Sequence, residues 1–277
     1  MACTLLSRAL RISVRAGHRL VSQQAQATPS PTDEIVIEKL TGEQEGIAVL
    51  GFNRPKAKNA IGRVFLKSFE EALDALKYDN NLRILVLRSL VPGVFCAGAD
   101  LKERAAMPVQ EVGPFVARLR GATVTLDDFP VPTIAAMDGA ALGGGLELAL
   151  ACDLRIASNS AKMGLVETTL AIIPGAGGTQ RLPRIAEDIG LVNEVVTQNK
   201  DGDAAFQRAL KLAEEIRPQG PIALRMAKLA INKGMDVGLA NGLDYERSYY
   251  VQVTQSKDRV EGLTAFKEKR RPKYIGE

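Results

Sequence analysis

The sequence predicts an α/β fold, with a mostly parallel sheet core over residues 33–202 and a helical region over 203–277. Two observations carry this. As far as Gly202, short apolar segments alternate with segments of helical period, and past it only helical period remains. The apolar segments are also rich enough in Val, Ile, Leu and Ala to be buried on both faces, as strands of a parallel sheet are.

Residues 1–32 stand apart from both regions. Arg8, Arg11, Arg15 and Arg19 recur at spacings of three and four, which puts them on one helical face among Leu5, Leu6, Leu10, Ile12 and Leu20, and no acid precedes Asp33. An amphipathic, Arg-rich, acid-free segment has the composition of a mitochondrial transit peptide, whereas a secretory signal would need an unbroken apolar stretch. A disordered basic tail has the same composition. Residues 23–31 read as the join to the folded part.

Within the core, strands are expected at 35–40 and 47–52, then a helix at 63–77, then a strand at 83–88. The turn Cys96-Ala97-Gly98-Ala99-Asp100 follows, with Asp100 placed to cap a helix. A helix at 109–126 carries Pro114 and is expected to kink or start late there. Strands at 133–137 and 154–157 bracket Gly143-Gly144-Gly145-Leu146-Glu147, and a helix is expected over 146–151. Three glycines admit close backbone approach. At a helix N-terminus they leave free N–H groups and the positive end of the dipole facing whatever they admit, which suits an anion or a developing oxyanion. Gly175-Ala176-Gly177-Gly178 reads as a tight turn before a helix starting near Thr179. Further helices are expected at 204–216, at 221–233, and at 237–253 broken by Gly238 and Gly242.

Composition excludes several chemistries. Of 277 residues, 46% are hydrophobic and 25% charged, enough for one sizeable core. No apolar run approaches the ~18 residues of a membrane-spanning helix. The four arginines of the leader account for the whole net charge of +4, so the remainder is neutral and has no global footprint for nucleic acid. What basic excess persists is local, at Lys267, Lys269, Arg270, Arg271 and Lys273. The one histidine, His18, lies in the leader, which removes His-dependent nucleophilic catalysis and His-ligated metals from the mature chain. Cys3, Cys96 and Cys152 form no C-x-x-C pair, as fits a reduced compartment, and no metal site is expected. There is neither a P-loop nor a dinucleotide fingerprint. Proton transfer therefore falls to carboxylates, lysines or tyrosines. Glu147, in a run whose other charges are Asp138, Asp153 and Arg155, and Glu167 become the candidates. Each has a plainer reading, Glu147 as a first-turn acid complementing its helix dipole and Glu167 as a solvated loop acid.

The runs from Ala141 to Ala149, Cys152 to Ala157, Gly164 to Glu167 and Ile173 to Leu182, with Asn53-Arg54-Pro55, Asn59-Ala60 and Phe95 to Glu103, resemble the enoyl-CoA hydratase/isomerase (crotonase) family over 35–277. The resemblance implies a ClpP-like spiral core of ββα turns and a C-terminal helical subdomain that builds a trimer, or a dimer of trimers, and reaches a neighbouring active site. It implies a hydro-lyase of the mitochondrial matrix, adding water to a 2-enoyl-CoA or methylglutaconyl-CoA-like thioester in fatty-acid or branched-chain amino-acid breakdown. Glu147 and Glu167 would be catalytic, the N–H groups of Ala99 and Gly144 would form an oxyanion hole, and no cofactor is expected beyond the coenzyme A of the substrate. That coenzyme A would be held by Lys56 or Lys58, by the backbone of Ala97, Gly98, Asp100 and Leu101, and by Phe266 and Lys269 of an adjoining subunit. Without the resemblance, the 97–100 turn is a plain strand-to-helix turn and the basic tail a solvated charge run.

Hydration of such a thioester needs a water activated at the β-carbon, a proton for the α-carbon and a stabilised enolate oxygen. Two carboxylates flanking one water meet the first two needs, and two backbone N–H groups the third. A lost oxyanion donor typically costs about 2.7 to 4 kcal/mol of barrier. RNA is a second possible partner, since one branch of the family binds it through the helix around 58–77. Here Lys58, Arg63, Lys67 and Lys77 are offset by Glu70, Glu71 and Asp74, and no strong basic stripe results.

One departure from the family stands out. Its members carry about twenty more residues between Arg181-Leu182-Pro183-Arg184 and Gly190-Leu191-Val192-Asn193, where this chain has only Ile185-Ala186-Glu187-Asp188-Ile189. The missing piece is normally a helix, a turn and the start of another helix beside the acyl pocket. Its loss is expected to expose apolar surface, and a catalytically impaired subunit is the alternative it raises.

Overall fold

A computed structural model describes residues 33–170, 172–186 and 191–277. The expected leader over 1–32 and the middle of the short connection lie outside the described residues. Strands β1 (Ile35–Lys39) and β2 (Ile47–Phe52) pair antiparallel; β3 (Ile84–Ser89), β5 (Thr133–Met137), β7 (Leu154–Ser158) and β9 (Glu194–Val196) then add in parallel, in the order β1-β2-β3-β5-β7-β9. Strands β4 (Val94–Cys96), β6 (Ala140–Leu142) and β8 (Met163–Gly164) form a second, three-stranded parallel sheet. The chain thus visits the large sheet and then the small one three times in succession. This is the spiral the resemblance implied.

Helices α1 (Arg63–Lys77), α2 (Leu101–Ala106), α3 (Val109–Asp127), α4 (Gly144–Leu150) and α5 (Gly178–Ala186) accompany the spiral; α6 (Ala204–Ile216), α7 (Pro221–Met235), α8 (Leu239–Thr254) and α9 (Lys257–Glu268) follow it. The large sheet is covered on both faces, which is why its strands read as unbroken apolar runs. Along β2, Ala48, Leu50 and Phe52 enter the core beneath α1, α3 and α4, while Ile47 and Val49 point to the other face. Phe95 of β4 meets Phe52 at 5.2 Å between ring centroids, and Phe52 meets Phe65 of α1 at 5.3 Å, so one aromatic cluster joins the small sheet to the large one. Such pairs contribute about 0.5–1.5 kcal/mol beyond their buried area.

Helix α6 was expected within the C-terminal helical region, and it packs on the sheet. Ala205, Phe206, Ala209 and Ala213 lie against Ile47, Val49, Ile84, Val86, Ile134, Ala136 and Ile156. Alanines four apart let the helix seat close to the strands. Asp138, just past β5, accepts the N–H groups of Ala205 at 2.8 Å and Phe206 at 3.1 Å, which caps the helix and fixes its start.

Other expectations shift in detail. Helix α3 starts at Val109, ahead of Pro114, which sits inside it rather than delaying it. Helix α8 runs unbroken through Gly242, with Gly238 as its N-cap, because packing between α7 and α8 outweighs the propensity cost of one glycine. Helix α4 starts at Gly144, two residues before the expected boundary. Among the described residues no helix is long and apolar enough to cross a membrane.

Candidate active site

The small sheet is parallel, so its strands end on one edge, and ligands of α/β folds gather at such carboxyl ends. After β4 comes the turn Ala97-Gly98-Ala99-Asp100; after β6, Gly143 and α4; after β8, Leu165, Val166 and Glu167. All the predicted catalytic and oxyanion residues thus hang from three strands of two or three residues each.

The first turn is held by strand-like pairing at Ile61. Ile61 N–H donates to Gly98 O at 2.7 Å and Ile61 O accepts from Asp100 N–H at 3.0 Å. In a parallel bridge of this kind the middle residue, Ala99, has its own N–H directed away from Ile61. The start of α4 lies close to it: a Cβ built on Gly144 would lie 3.9 Å from Ala99 N. Gly144 is the first residue of α4, so its N–H has no acceptor in its own helix. Two glycines allow the approach. Gly98 has φ +91°, and a Cβ there would meet Leu142 O at 2.8 Å; a Cβ on Gly145 would meet Cys96 O at 2.3 Å.

Asp100 caps α2, accepting from Lys102 N at 3.0 Å and Glu103 N at 3.1 Å. Its other oxygen takes a 2.6 Å bond from Arg54, which also binds Glu34 at 2.7 Å, Glu103 at 3.2 Å and the carbonyl of Ala60 at 2.7 Å. Burial pushes the Asp100 carboxyl up, but the Glu103 amide and the Arg54 guanidinium outweigh it and hold the group below the usual carboxylate range. Glu103 in turn accepts the first N–H of α1, from Arg63, at 2.9 Å. A single arginine therefore joins the residue just ahead of β1, the turn and two helix starts. Sequence reasoning met Arg54 only as part of a family motif, and no spacing in the chain could have revealed partners 20, 46 and 49 residues away.

The two carboxylates differ sharply. Glu147 is 2% exposed, and its Oε1 accepts from Ala176 N at 2.8 Å and Gly178 N at 2.7 Å, while Oε2 takes neither bond. Burial raises its carboxyl above the ordinary value; the amides of Gly178 and Ala176 pull it back, the charge of Glu167 raises it, and Arg181 lowers it. The turn 175–178, expected only as a turn, is thus part of the site. Glu167 lies against the residue that precedes α4: a Cβ on Gly143 would lie 3.1 Å from its Oε1. Glu167 is 9% exposed, so the solvated-acid reading fails, and its buried Oε2 has no hydrogen-bond partner among the described residues. Leaving a buried carboxylate oxygen unpaired costs about 1–3 kcal/mol or more, a cost that marks functional groups.

The other charges of this apolar stretch have structural duties. Asp153 accepts from Thr133 N–H at 2.7 Å and pairs with Lys228 at 2.8 Å; Asp138 caps α6; Arg155 donates to the carbonyls of Cys152 and Leu191 at 2.6 and 3.1 Å.

Of the predicted coenzyme A residues, Ala97, Gly98, Asp100 and Leu101 form the first turn and the start of α2. Lys58 stands beside them, its carbonyl accepting Ala97 N–H at 3.1 Å; its side chain and that of Lys56 are exposed. Lys58 and Asn59 both have positive φ, of 51° and 56°, and the buried Asn59 side chain holds this bend by bonds with Arg54 N, Ser89 and the carbonyl of Phe95. Lys269 is exposed past the end of α9, and none of these contacts brings it to the turns; the side chain of Phe266 lies outside the described residues. Of the basic residues of α1, Arg63 pairs with Glu111 and Lys67 with Glu71, while Lys77 lies over the Tyr78 ring.

Two backbone amides close to each other, with two buried carboxylates nearby, have the makings of a general acid–base site for a substrate whose carbonyl oxygen gains charge. The chain matches the model of the family described as enoyl-CoA hydratase/isomerase in two stretches, residues 42–187 and 185–277. It therefore belongs to the enoyl-CoA hydratase/isomerase family. It is 55% identical over 265 residues to methylglutaconyl-CoA hydratase, mitochondrial, of Mus musculus, covering 88% of this chain and 84% of that protein. It is 51% identical over 292 residues to enoyl-CoA hydratase domain-containing protein 2, mitochondrial, of Mus musculus, covering 98% and 99%. Among solved structures, enoyl-CoA hydratase from Bacillus anthracis superposes with a TM-score of 0.83 at 42% identity, covering 88% of this chain and all of that one. The first alignment spans 265 positions where 88% of 277 residues is about 244, a shortfall of about twenty in this chain. The family match breaks at 185–187, where the short connection lies.

Proposed function

We propose that this chain is a mitochondrial hydratase that adds water across the double bond of a 2-enoyl-CoA thioester. What supports the reading is that two buried carboxylates, Glu147 and Glu167, lie near the start of α4, which in turn lies close to Ala99. Both relatives aligned above have hydratase in their names, and the second aligns along almost the whole chain, leader included.

The roles follow from the bonding. Glu147 Oε1 is committed as an acceptor of two N–H groups, which favours the carboxylate, so Glu147 acts as the base and takes a proton from water on Oε2. The hydroxide oxygen adds to the β-carbon, and the electron pair moves to the thioester oxygen, held by the two amides. Glu167, unpaired at Oε2, delivers a proton to the α-carbon to give the 3-hydroxyacyl thioester, and the proton on Glu147 passes back to Glu167 to reset the pair. Lys56 and Lys58 stand exposed beside the oxyanion turn and would meet the phosphates of coenzyme A. Phe266 and Lys269 would complete that site from a second copy in a trimer or a dimer of trimers. The acyl group would lie along Val166, Ile172 and Ile173, which are 40%, 45% and 72% exposed beside Glu167.

The test is ultraviolet loss of crotonyl-CoA absorbance by the purified chain, read beside its mass by light scattering. Turnover by a trimer supports the reading. A trimer without turnover points to the impaired subunit that the short connection raises. The leader would direct the chain to the matrix: residues 1–32 fused to a fluorescent reporter should carry it there, and replacing Arg8, Arg11, Arg15 and Arg19 by Gln should keep it in the cytosol.

A further inference from the structure

Glu147 owes its place to the turn 175–178, and that turn is itself held from behind. Helix α3 presents Arg120, Thr123 and Asp127 to it. Arg120 Nε donates to Gly175 O at 2.9 Å, and Thr123 Oγ1, fully buried, donates to Ala176 O at 2.9 Å. Arg181, in the first turn of α5, adds a donor from Nη1 to the same Ala176 carbonyl at 3.1 Å and reaches Asp127 Oδ2 with Nη2 at 3.3 Å. The peptide unit around Ala176 is thus gripped on both sides, its residue's carbonyl by Arg181 and Thr123 and its N–H by Glu147 Oε1.

A cation in the first turn of a helix opposes the helix dipole, which favours anions there. Its place there needs another reason, and the bonds supply one. We propose that Arg181 is a positioning residue: anchored on Asp127, it clamps the 175–178 turn so that the amides of Ala176 and Gly178 hold Glu147 Oε1 and leave Oε2 aimed at the water. Its kinetic consequence rests on the hydratase reading above; the clamp itself does not.

The charges around Glu147 fix the expected sign. Glu167 faces it across the site, Arg181 stands behind the turn, and Arg155 lies at the far end of α4; Asp127 backs Arg181, with Asp128 and Lys228 beyond. Arg181 favours the ionised Glu147, so removing its charge moves the acid limb of the rate profile to higher pH.

The experiment compares Arg181→Met and Arg181→Lys in the full chain, by steady-state hydration of crotonyl-CoA across pH and by amide hydrogen exchange over residues 172–182. In Arg181→Met, kcat is expected to fall about a hundredfold, the scale of a small misplacement of a reacting group. KM should change little, the acid limb should rise, and exchange at Ala176 and Gly178 should quicken at least tenfold. Arg181→Lys restores the charge and one bond, so its acid limb should return to that of the parent while kcat recovers only in part. Should the Met variant not fold, the Lys variant decides alone: reduced kcat with faster exchange upholds the clamp, and parental values of both overturn it. An unmoved kcat and acid limb in the Met variant, or a rise in KM alone, overturns it as well. If the parent chain does not hydrate crotonyl-CoA, the functional reading falls and exchange still judges the clamp, with parental exchange in Arg181→Met overturning it.

Discussion

The spiral core and the C-terminal helices bury their apolar residues to very different degrees. In α4 every residue is buried, and α1 buries Phe65, Leu66, Phe69, Ala72, Leu73 and Leu76. Helix α7 buries none and ends on Met235, 72% exposed; beyond it Tyr250, Val260 and Leu263 are 66%, 60% and 60% exposed. A core that closes on itself can hold a catalytic carboxylate to within a hydrogen bond. Helices that leave large side chains open are incomplete without another surface, and exposed apolar area of this kind marks an interface. Under the proposed function, chemistry falls to the first region and assembly to the second.

The largest effect that sharpens this contrast falls in the core. Glu147→Gln and Glu167→Gln should each cut hydration by at least about two orders of magnitude, as loss of a general acid or base does, while binding of a coenzyme A product survives. Near-parental turnover in either would remove the two-carboxylate mechanism. In the parent, the base must be ionised, and burial holds its carboxyl above the ordinary value, so the acid limb of kcat should lie above that of an exposed glutamate. A limb at the ordinary carboxylate value would show that Glu147 is not the titrating base.

Next comes the oxyanion turn. Gly98→Ala places a Cβ 2.8 Å from Leu142 O at φ +91°, so the turn must shift and carry the Ala99 N–H with it. Loss of such a donor lowers kcat about 10²- to 10³-fold. Melting close to that of the parent alongside this loss would separate the turn's chemistry from its folding role.

A smaller effect tests the boundary between the regions. Ile185, at the start of the short connection, and Leu191, past it, still pack against the core, while Ile172 and Ile173 are open to solvent. Restoring a helical hairpin of about twenty residues would cover several hundred Å² of apolar surface, at about 25 cal/mol per Å² several kcal/mol of gross burial, much of it offset by chain entropy. The restored chain should melt higher and form trimers more fully. Equal melting and equal mass would make the lost segment peripheral.

The smallest effect is expected in the tail. Arg270 pairs with Glu261 at 2.6 Å and Glu268 at 2.6 Å, and Glu261 is held at about 2, yet all three are at the surface. Exposed pairs contribute little, so Arg270→Ala should leave the melting curve unmoved. A clear drop would mean that the C-terminal end is as tightly made as the core.

What could be read from the chain divides along physical lines. Strands β2, β3, β5 and β7 and helices α1 and α6 were legible because five or more residues show a period or an unbroken apolar run. Strands β4, β6 and β8 were not, since two or three residues carry no period, and these are the strands from which the site hangs. Glu147 was legible as a charge in an apolar stretch. The burial of Glu167 was not, because a lone acid among Val and Thr looks the same in water. Arg54 and Arg181 were invisible for a different reason: their partners are brought to them by the spiral, and the sequence does not encode proximity at that range.

The bond from Arg54 to Glu34 sets a limit on where the front of the chain can be cut. Arg54 steadies the turn that aims Ala99, and one of its three carboxylate partners is the second described residue, with Asn53 also bonded to the carbonyl of Asp33 at 3.1 Å. Cleavage anywhere before Asp33 would leave these contacts whole. A cut two residues further on would remove Glu34 from Arg54, and the loss would be felt, some sixty-five residues later, at the turn that carries Ala99.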